Sequence, residues 1–250
     1  MDENQNNNLT KKERRDLKRQ EKMESREKKE KNKKIKTSAI WAAVFLILLS
    51  GIGGIVFLVA KSSSSNGTIS QPALLIARDN DWTKGKKDAK VVLVEYSDFQ
   101  CPACAYFMPV LEKLSSDFPN DLKIVYRHFP LPKHKNAKFA AYSAEAAGRQ
   151  GKFFEMTNKI FERQKEWENL SENNAIEIFK NSASELNLDI KKFEEDLNNE
   201  EIKNAVDNDY KDGTALNINY TPTFYLNGNK IVNPKSYDEF KKMIEEEIKK

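Results

Sequence analysis

The two cysteines of this 250-residue chain lie where a predicted strand meets a predicted helix. Residues 91–94 (VVLV) form an unbroken apolar run, which is typical of a strand buried on both faces of a sheet. After Cys101-Pro102-Ala103-Cys104 the apolar residues recur at helical spacing, as Phe107, Val110, Leu111, Leu114 and Phe118. A strand, a tight turn that carries cysteines and a helix, in this order, predict an α/β fold.

The next segments continue the α/β pattern. Residues 122–129 (LKIVYRHF) predict a second strand. Because a helix separates it from the first strand, a right-handed parallel crossover is favoured. A long helical region is predicted at about residues 136–216, where small and apolar side chains recur at helical intervals.

A hairpin and a last helix are predicted at the C-terminal end. Residues 223–226 and 230–232 have strand character, and Asn227-Gly228 between them favours the tight turn of a β-hairpin. Ser236 and Glu239 match a capping box at the start of an amphipathic helix. The predicted order is therefore strand, helix, strand, helical block, strand, strand, helix.

The position of Cys101 favours redox chemistry. A cysteine that caps a helix meets unsatisfied N–H groups and the positive end of the helix dipole, and both stabilise a thiolate. Pro102 fits the first helical position, where its missing N–H costs nothing. Cys104, one turn further, is expected to be shielded and to act as the resolving thiol.

A structural disulfide and a zinc site are the alternatives to redox chemistry for the two cysteines. A purely structural disulfide across so short a loop removes little entropy from the unfolded chain, so stability is a weak reason for it. A zinc site would combine Cys101 and Cys104 with His128 and His134, the two histidines of the chain. The segment between the two pairs is longer than in a zinc finger and is occupied by a helix and a strand.

Two segments resemble one protein family. Residues 95–104 (EYSDFQCPAC), together with Thr221-Pro222-Thr223 and the following FYLNG, are similar to the DsbA-like branch of the thioredoxin superfamily, most of all its membrane-anchored Gram-positive type. The resemblance covers about residues 85–248. It implies a thioredoxin fold with a helical insertion at about 134–216, a cis Pro222 beside the cysteines, and a Thr221 backbone that binds substrate peptide. It implies no metal and no organic cofactor.

Glu95 is a further candidate for the site. It lies six residues before Cys101, where similar proteins place a buried acid, and it is expected to exchange a proton with Cys104. The alternative is a glutamate that faces solvent. One residue departs from the family: its strongest oxidants carry histidine between the cysteines, and Ala103 offers no charge to hold a thiolate, so a less oxidising potential is expected.

The N-terminal part predicts a membrane anchor. Residues 1–36 hold 14 basic and 8 acidic residues, a balance of +6, which leaves −2 for the rest of a chain of net charge +4. Residues 37–60 carry no formal charge and would form a helix of about 36 Å, enough to cross a hydrocarbon core of about 30 Å. A cleaved signal peptide is the alternative, although its apolar region is usually shorter.

The charge pattern also predicts the orientation in the membrane. The basic tail is expected in the cytoplasm and the domain at residues 73–250 outside it, after a Ser-rich linker at 61–72. The predicted function is the formation of disulfides in exported proteins. Expected partners are reduced or unfolded exported proteins, membrane lipid and, as the family implies, a quinone-linked membrane thiol oxidase; nucleic acid is not expected. Reduction or isomerisation of disulfides, and a non-catalytic module that holds peptides or metal, are the alternatives.

Overall fold

The computed structural model describes residues 75–250 and, in the N-terminal region, Met23. The chain divides into two units, Met1–Thr68 and Ile69–Lys250, and the described sheet and helices lie in the second. The predicted tail, membrane span and linker at residues 1–36, 37–60 and 61–72 lie outside the described residues. Within the described residues, no helix is both long enough and apolar enough to span a bilayer.

The centre of the domain is a mixed five-stranded sheet. Its strands are β1 (Trp82–Gly85), β2 (Val91–Ser97), β3 (Leu122–His128), β4 (Thr223–Leu226) and β5 (Asn229–Lys230). They lie in the order β1-β3-β2-β4-β5. Only β2 and β3 are parallel, and the helix α1 (Pro102–Asp117) connects them, which confirms the predicted parallel pairing. The ends of β2 and β4 that lie nearest the start of α1 carry the site.

The helical block between β3 and β4 consists of six helices. They are α2 (Ala137–Gly148), α3 (Phe153–Glu162), α4 (Gln164–Trp167), α5 (Glu172–Glu185), α6 (Ile190–Leu197) and α7 (Glu200–Ala215). The last helix of the chain is α8 (Tyr237–Lys249). The predicted helical insertion is therefore confirmed, and its helices run from Ala137 to Ala215.

Helices cover the sheet on both faces. On one face, side chains of α1 and α8 such as Leu111, Phe240 and Ile244 pack against β2, β3 and β4. On the other face Tyr210 and Leu216, from α7 and the residue after it, pack against a smaller apolar group around Tyr96. A strand covered on both faces carries apolar side chains without alternation, which explains the VVLV run.

The C-terminal hairpin forms with a shorter second strand than predicted. Asn227 and Gly228 both have positive φ, 46° and 79°, as the tight turn requires. β5 ends at Lys230 instead of continuing to residue 232, although the N–H of Ile231 still donates to the carbonyl oxygen of Phe224 at 3.1 Å. Ser236 accepts the N–H of Glu239, as a capping box requires, but the Glu239 carboxylate accepts the N–H of Lys235 instead of that of Ser236.

Candidate active site

Cys101 occupies the N-cap position of α1, with φ −82° and ψ 120°, and Pro102 begins the helix. A turn delivers the cysteine there, since the N–H of Cys101 donates to the carbonyl oxygen of Asp98 at 3.0 Å. The pKa of Cys101 is lowered to about 5, chiefly by a hydrogen bond from the Cys104 thiol. The N–H groups of Cys104 and Ala103 act in the same direction. At neutral pH the Cys101 sulfur is therefore a thiolate.

Cys104 has the opposite character. Its residue is 1% exposed, against 8% for Cys101, and both cysteines are free. Burial, the hydrogen bond to Cys101 and the charge of Glu95 raise the pKa of Cys104 well above its usual value. The N–H of Asp98 lies 3.4 Å from the Cys104 sulfur and donates to it. The pair is thus one reactive thiolate beside one shielded thiol.

Glu95 lies on β2 beneath the cysteines, between Tyr126 of β3 and Phe224 of β4 in the sheet. It is buried, so the alternative of a glutamate that faces solvent is wrong. Burial raises the pKa of Glu95 to about 8. Glu95 and Cys104 line the same small cavity, of about 40 Å³, which is room for one or two water molecules. A carboxyl of this kind exchanges protons near neutral pH.

The loop before β4 completes the site. The peptide bond between Thr221 and Pro222 is cis, as the resemblance implied. The carbonyl oxygen of Thr221 lies 3.2 Å from the Cys101 sulfur. Tyr220, the preceding residue, is 44% exposed, so this loop borders solvent next to the reactive sulfur.

Gln164 was not predicted from the sequence as part of the site. Its amide nitrogen donates to the carbonyl oxygens of Phe99 and Cys101, at 2.7 and 3.1 Å, from inside the protein. Gln100 also links the active-site turn to the helical insertion. Its amide nitrogen donates to the carbonyl oxygen of Glu168, and its amide oxygen accepts the N–H of Asn136. The helical insertion therefore holds the turn that carries Cys101. No local pattern marks these glutamines, because their partners are backbone groups far along the chain.

The two histidines are paired with carboxylates. Nε2 of His128 lies 2.9 Å from Glu145, and Nδ1 of His134 lies 2.7 Å from Asp98. Among the residues that the structure describes, no group of three or more potential metal ligands is found. The set of both cysteines and both histidines that the zinc alternative requires is not gathered in this part of the chain.

A sheet of this topology, a dithiol at the start of α1 and a cis-proline loop against the reactive sulfur define a domain for thiol–disulfide exchange. The family model described as thioredoxin matches residues 78–246, and the chain belongs to that family. Within the family the domain is a DsbA-like thiol–disulfide oxidoreductase domain, with Cys101 and Cys104 as its C-x-x-C pair.

Solved structures agree with this assignment. Oxidised BdbD from Bacillus subtilis is 29% identical, with 67% of this chain and 92% of that chain covered and a TM-score of 0.59. α-DsbA1 from Wolbachia pipientis is 22% identical, with 72% and 96% covered and a TM-score of 0.65. The catalytic domain of ScsC from Proteus mirabilis, also 22% identical, has a TM-score of 0.59 over 72% of this chain and 96% of that chain. The last two likenesses show the fold.

Curated relatives are longer proteins. The Na⁺/H⁺ antiporter NhaA 1 of Mycolicibacterium vanbaalenii is 36% identical over 155 residues, which are 60% of this chain and 24% of that protein. The antiporter NhaA of Herminiimonas arsenicoxydans is 31% identical over 199 residues, 78% of this chain and 31% of that protein. The chain thus spans about a quarter to a third of the length of these relatives.

Proposed function

We propose that this protein is a membrane-anchored oxidoreductase that forms disulfides in exported proteins outside the cytoplasm. The observation that carries the proposal is the position of Cys101, a sulfur with a pKa of about 5 that lies 3.2 Å from the carbonyl oxygen of Thr221. A reactive thiolate beside a loop that borders solvent suits a protein substrate, because an extended peptide can pair with the backbone of that loop while its own sulfur meets Cys101.

The reaction is two thiol–disulfide exchanges. A substrate thiolate attacks Cys101 in the Cys101–Cys104 disulfide, so that a mixed disulfide forms and Cys104 leaves. A second substrate thiolate then attacks the substrate sulfur of the mixed disulfide and displaces Cys101. The substrate loses two electrons to form its disulfide, and the enzyme gains them as a dithiol. A quinone-linked membrane thiol oxidase would take these electrons and restore the disulfide.

Glu95 is assigned the proton that Cys104 gains and loses in this cycle. Cys104 leaves as a thiolate in a buried position, where a charge is costly. A carboxyl with a pKa of about 8 in the same cavity can supply a proton at neutral pH and take it back in the reverse step. Thr221 and Pro222 are assigned to the substrate backbone, with the cis bond setting the direction in which Thr221 faces.

The low pKa of Cys101 supports oxidation over reduction. A stabilised thiolate favours the reduced enzyme, so the disulfide form becomes a better oxidant. Ala103, which offers no charge to hold a thiolate, by itself favours a less oxidising potential. The Cys101 thiolate is stabilised without a charged side chain at position 103, by hydrogen bonds from the Cys104 thiol and from two backbone N–H groups.

The test is oxidative refolding of a reduced, unfolded protein by the oxidised full-length chain. We expect acceleration by the wild type, loss of activity in Cys101→Ser, and no catalysis by Cys104→Ser, which instead accumulates mixed disulfides when reduced protein meets a substrate disulfide. Reduction of substrate disulfides in a glutathione buffer at −200 mV or so, without oxidation of dithiols, would favour the reductase alternative. Full activity of Cys101→Ser would contradict the assignment, and peptide binding retained by that variant would favour a holding module.

The anchor rests on the sequence of residues 37–60 and on the basic residues before it. Carbonate extraction of membranes that contain the full-length chain tests it: the chain should stay in the pellet, and its release would contradict the anchor. When protease is added to intact cells that contain the full-length chain, it should remove the domain at residues 73–250. We do not propose that this protein transports ions as the names of the antiporter relatives indicate, because the chain spans only 24% of the length of such a relative.

A further inference from the structure

Asp98 contacts both cysteines through its backbone. It directly follows Ser97, the last residue of β2. Its N–H donates to the Cys104 sulfur at 3.4 Å, and its carbonyl oxygen accepts the N–H of Cys101 at 3.0 Å. The orientation of the backbone at Asp98 therefore decides whether the buried sulfur of Cys104 has this hydrogen-bond donor.

The side chain of Asp98 fixes that orientation. One carboxylate oxygen accepts the N–H of Gln100 at 2.7 Å, within the active-site turn. The other accepts the N–H of Leu131 and Nδ1 of His134, each at 2.7 Å. The carboxylate is fully buried, so these donors take the place of water. Two of the three come from the loop that follows β3, so that loop anchors the active-site turn.

His134 is the one side-chain donor in this set. The backbone N–H of His134 donates to the carbonyl oxygen of Leu131 at 2.9 Å, and this turn holds the imidazole ring close to Asp98. Burial raises the pKa of Asp98, and the contacts with Leu131 and His134 oppose this shift. Without the imidazole, Asp98 would keep a poorly balanced charge beside Cys104 or take up a proton. Either change disturbs the environment of the Cys104 sulfur.

We propose that His134 is a positioning residue for the resolving step, in which Cys104 attacks a mixed disulfide on Cys101. His134 holds the Asp98 carboxylate, and the Asp98 N–H then stabilises the negative charge that develops on the Cys104 sulfur. The inference rests on the proposed function, since it concerns one step of that thiol exchange. Capture of a substrate sulfur by Cys101 does not require His134.

Glutathione disulfide separates the two steps. The Cys101 thiolate attacks one of its sulfurs, forms a mixed disulfide with one glutathione and releases the other as a thiolate. Cys104 then gives its proton to Glu95, as assigned above, and attacks Cys101, so that the Cys101–Cys104 bond forms and the second glutathione leaves as a thiolate. The dithiol loses two electrons, and glutathione disulfide gains them. Acid quenching and mass spectrometry of the full-length chain follow the dithiol, the mixed disulfide and the final disulfide with time.

Three variants test the proposal. His134→Ala removes the donor, and His134→Asn places an amide N–H near the position of Nδ1. Lys133→Ala, at an exposed neighbour in the same loop, controls for general loosening. In His134→Ala we expect capture within about twofold of wild type and resolution slowed about tenfold, the loss expected for one buried hydrogen bond. His134→Asn should recover most of the rate, and Lys133→Ala should match wild type in both steps.

Other results would refute either the role of His134 or the proposed function. Resolution at the wild-type rate in His134→Ala, or equal slowing of capture and resolution, would refute the role of His134. No mixed disulfide in the wild type would refute the proposed function instead. If His134→Ala does not fold, Asp98→Asn takes its place: it keeps the shape and removes the charge that His134 contacts. Slow resolution is then expected, and a wild-type rate would refute the proposal.

Discussion

The Cys101 sulfur lies 3.2 Å from the carbonyl oxygen of Thr221, although 120 positions separate the two residues in the chain. The sheet brings them together, because β4 pairs with β2 and Thr223 lies opposite Tyr96. The helical insertion leaves the sheet after β3 and returns before β4, so it does not interrupt this pairing. The Cys101 sulfur thus lies between Cys104, from the first half of the thioredoxin fold, and Thr221, from the second.

The pKa of Cys101 predicts how alkylation depends on pH. The rate of reaction of the reduced chain with iodoacetamide should be constant above about pH 6.5 and fall at lower pH with a midpoint at about 5, because only the thiolate reacts. Since the hydrogen bond from Cys104 is the largest cause, Cys104→Ala should move the midpoint upward, whereas Cys104→Ser keeps a donor and should move it less. A midpoint near that of free glutathione in the wild type would contradict the prediction.

The burial of Glu95 predicts a stability that depends on pH. Its pKa rises from 4.5 in the unfolded chain to about 8 in the folded one, so folding favours the protonated carboxyl. The cost is absent below pH 4.5, grows as the pH rises to 8 and is constant above that. Glu95→Leu should therefore stabilise the domain by a few kcal/mol at pH 8 and by much less at pH 5, since a tenfold change in an acid constant corresponds to about 1.4 kcal/mol.

Urea unfolding of the reduced chain at several pH values measures this difference. Glu162→Leu, at an exposed position of α3, is the matched control for the change of glutamate to leucine. A difference between Glu95→Leu and wild type that stays constant from pH 5 to pH 8 would show that the carboxyl is ionised in the folded domain.

Gln164 should contribute to stability through the active-site turn. Gln164→Met keeps the approximate shape but removes both donors, and the carbonyl oxygen of Phe99 then lies buried beside an apolar side chain. We expect a loss of about 1–3 kcal/mol in the free energy of unfolding. Gln150 is a matched control, because its amide also makes two backbone contacts, with Asp189, but at the surface. Gln150→Met should cost about 1 kcal/mol or less, and equal losses would contradict the role of burial.

Gly213 of α7 allows the helix to approach the sheet closely. A Cβ at this position would lie 2.6 Å from the ring of Phe129 and 3.1 Å from that of Tyr96. Gly213→Ala should therefore destabilise the domain by about 1–3 kcal/mol, although alanine is the better helix former. Asn204→Ala, at an exposed position of the same helix, should be neutral or stabilising. Thermal unfolding of both variants decides, and a gain in stability in Gly213→Ala would show that the rings move aside.

Local patterns predicted most of the elements, and one strand was missed. β1 has four residues (WTKG) and ends in a glycine, so it lacks the apolar alternation that marks a strand. It forms because the outer edge of β3 is otherwise unpaired and because Trp82 stacks on Phe153 of the insertion, with ring centroids 4.4 Å apart. A strand that depends on partners so far along the chain has no local signature.

The sequence by itself determined the strand, the C-x-x-C turn, the helix and their order, because apolar spacing and helix-capping chemistry act between residues close in the chain. The resemblance to a known family added a buried Glu95 and a Thr221 loop beside the cysteines. Only the tertiary structure decided that His134 contacts the carboxylate of Asp98. It also decided that Gln164 reaches the Cys101 turn from the insertion. These are contacts of polar groups, and a polar group can be satisfied by many partners; the packing of the sheet, α1 and the insertion selects which one it meets.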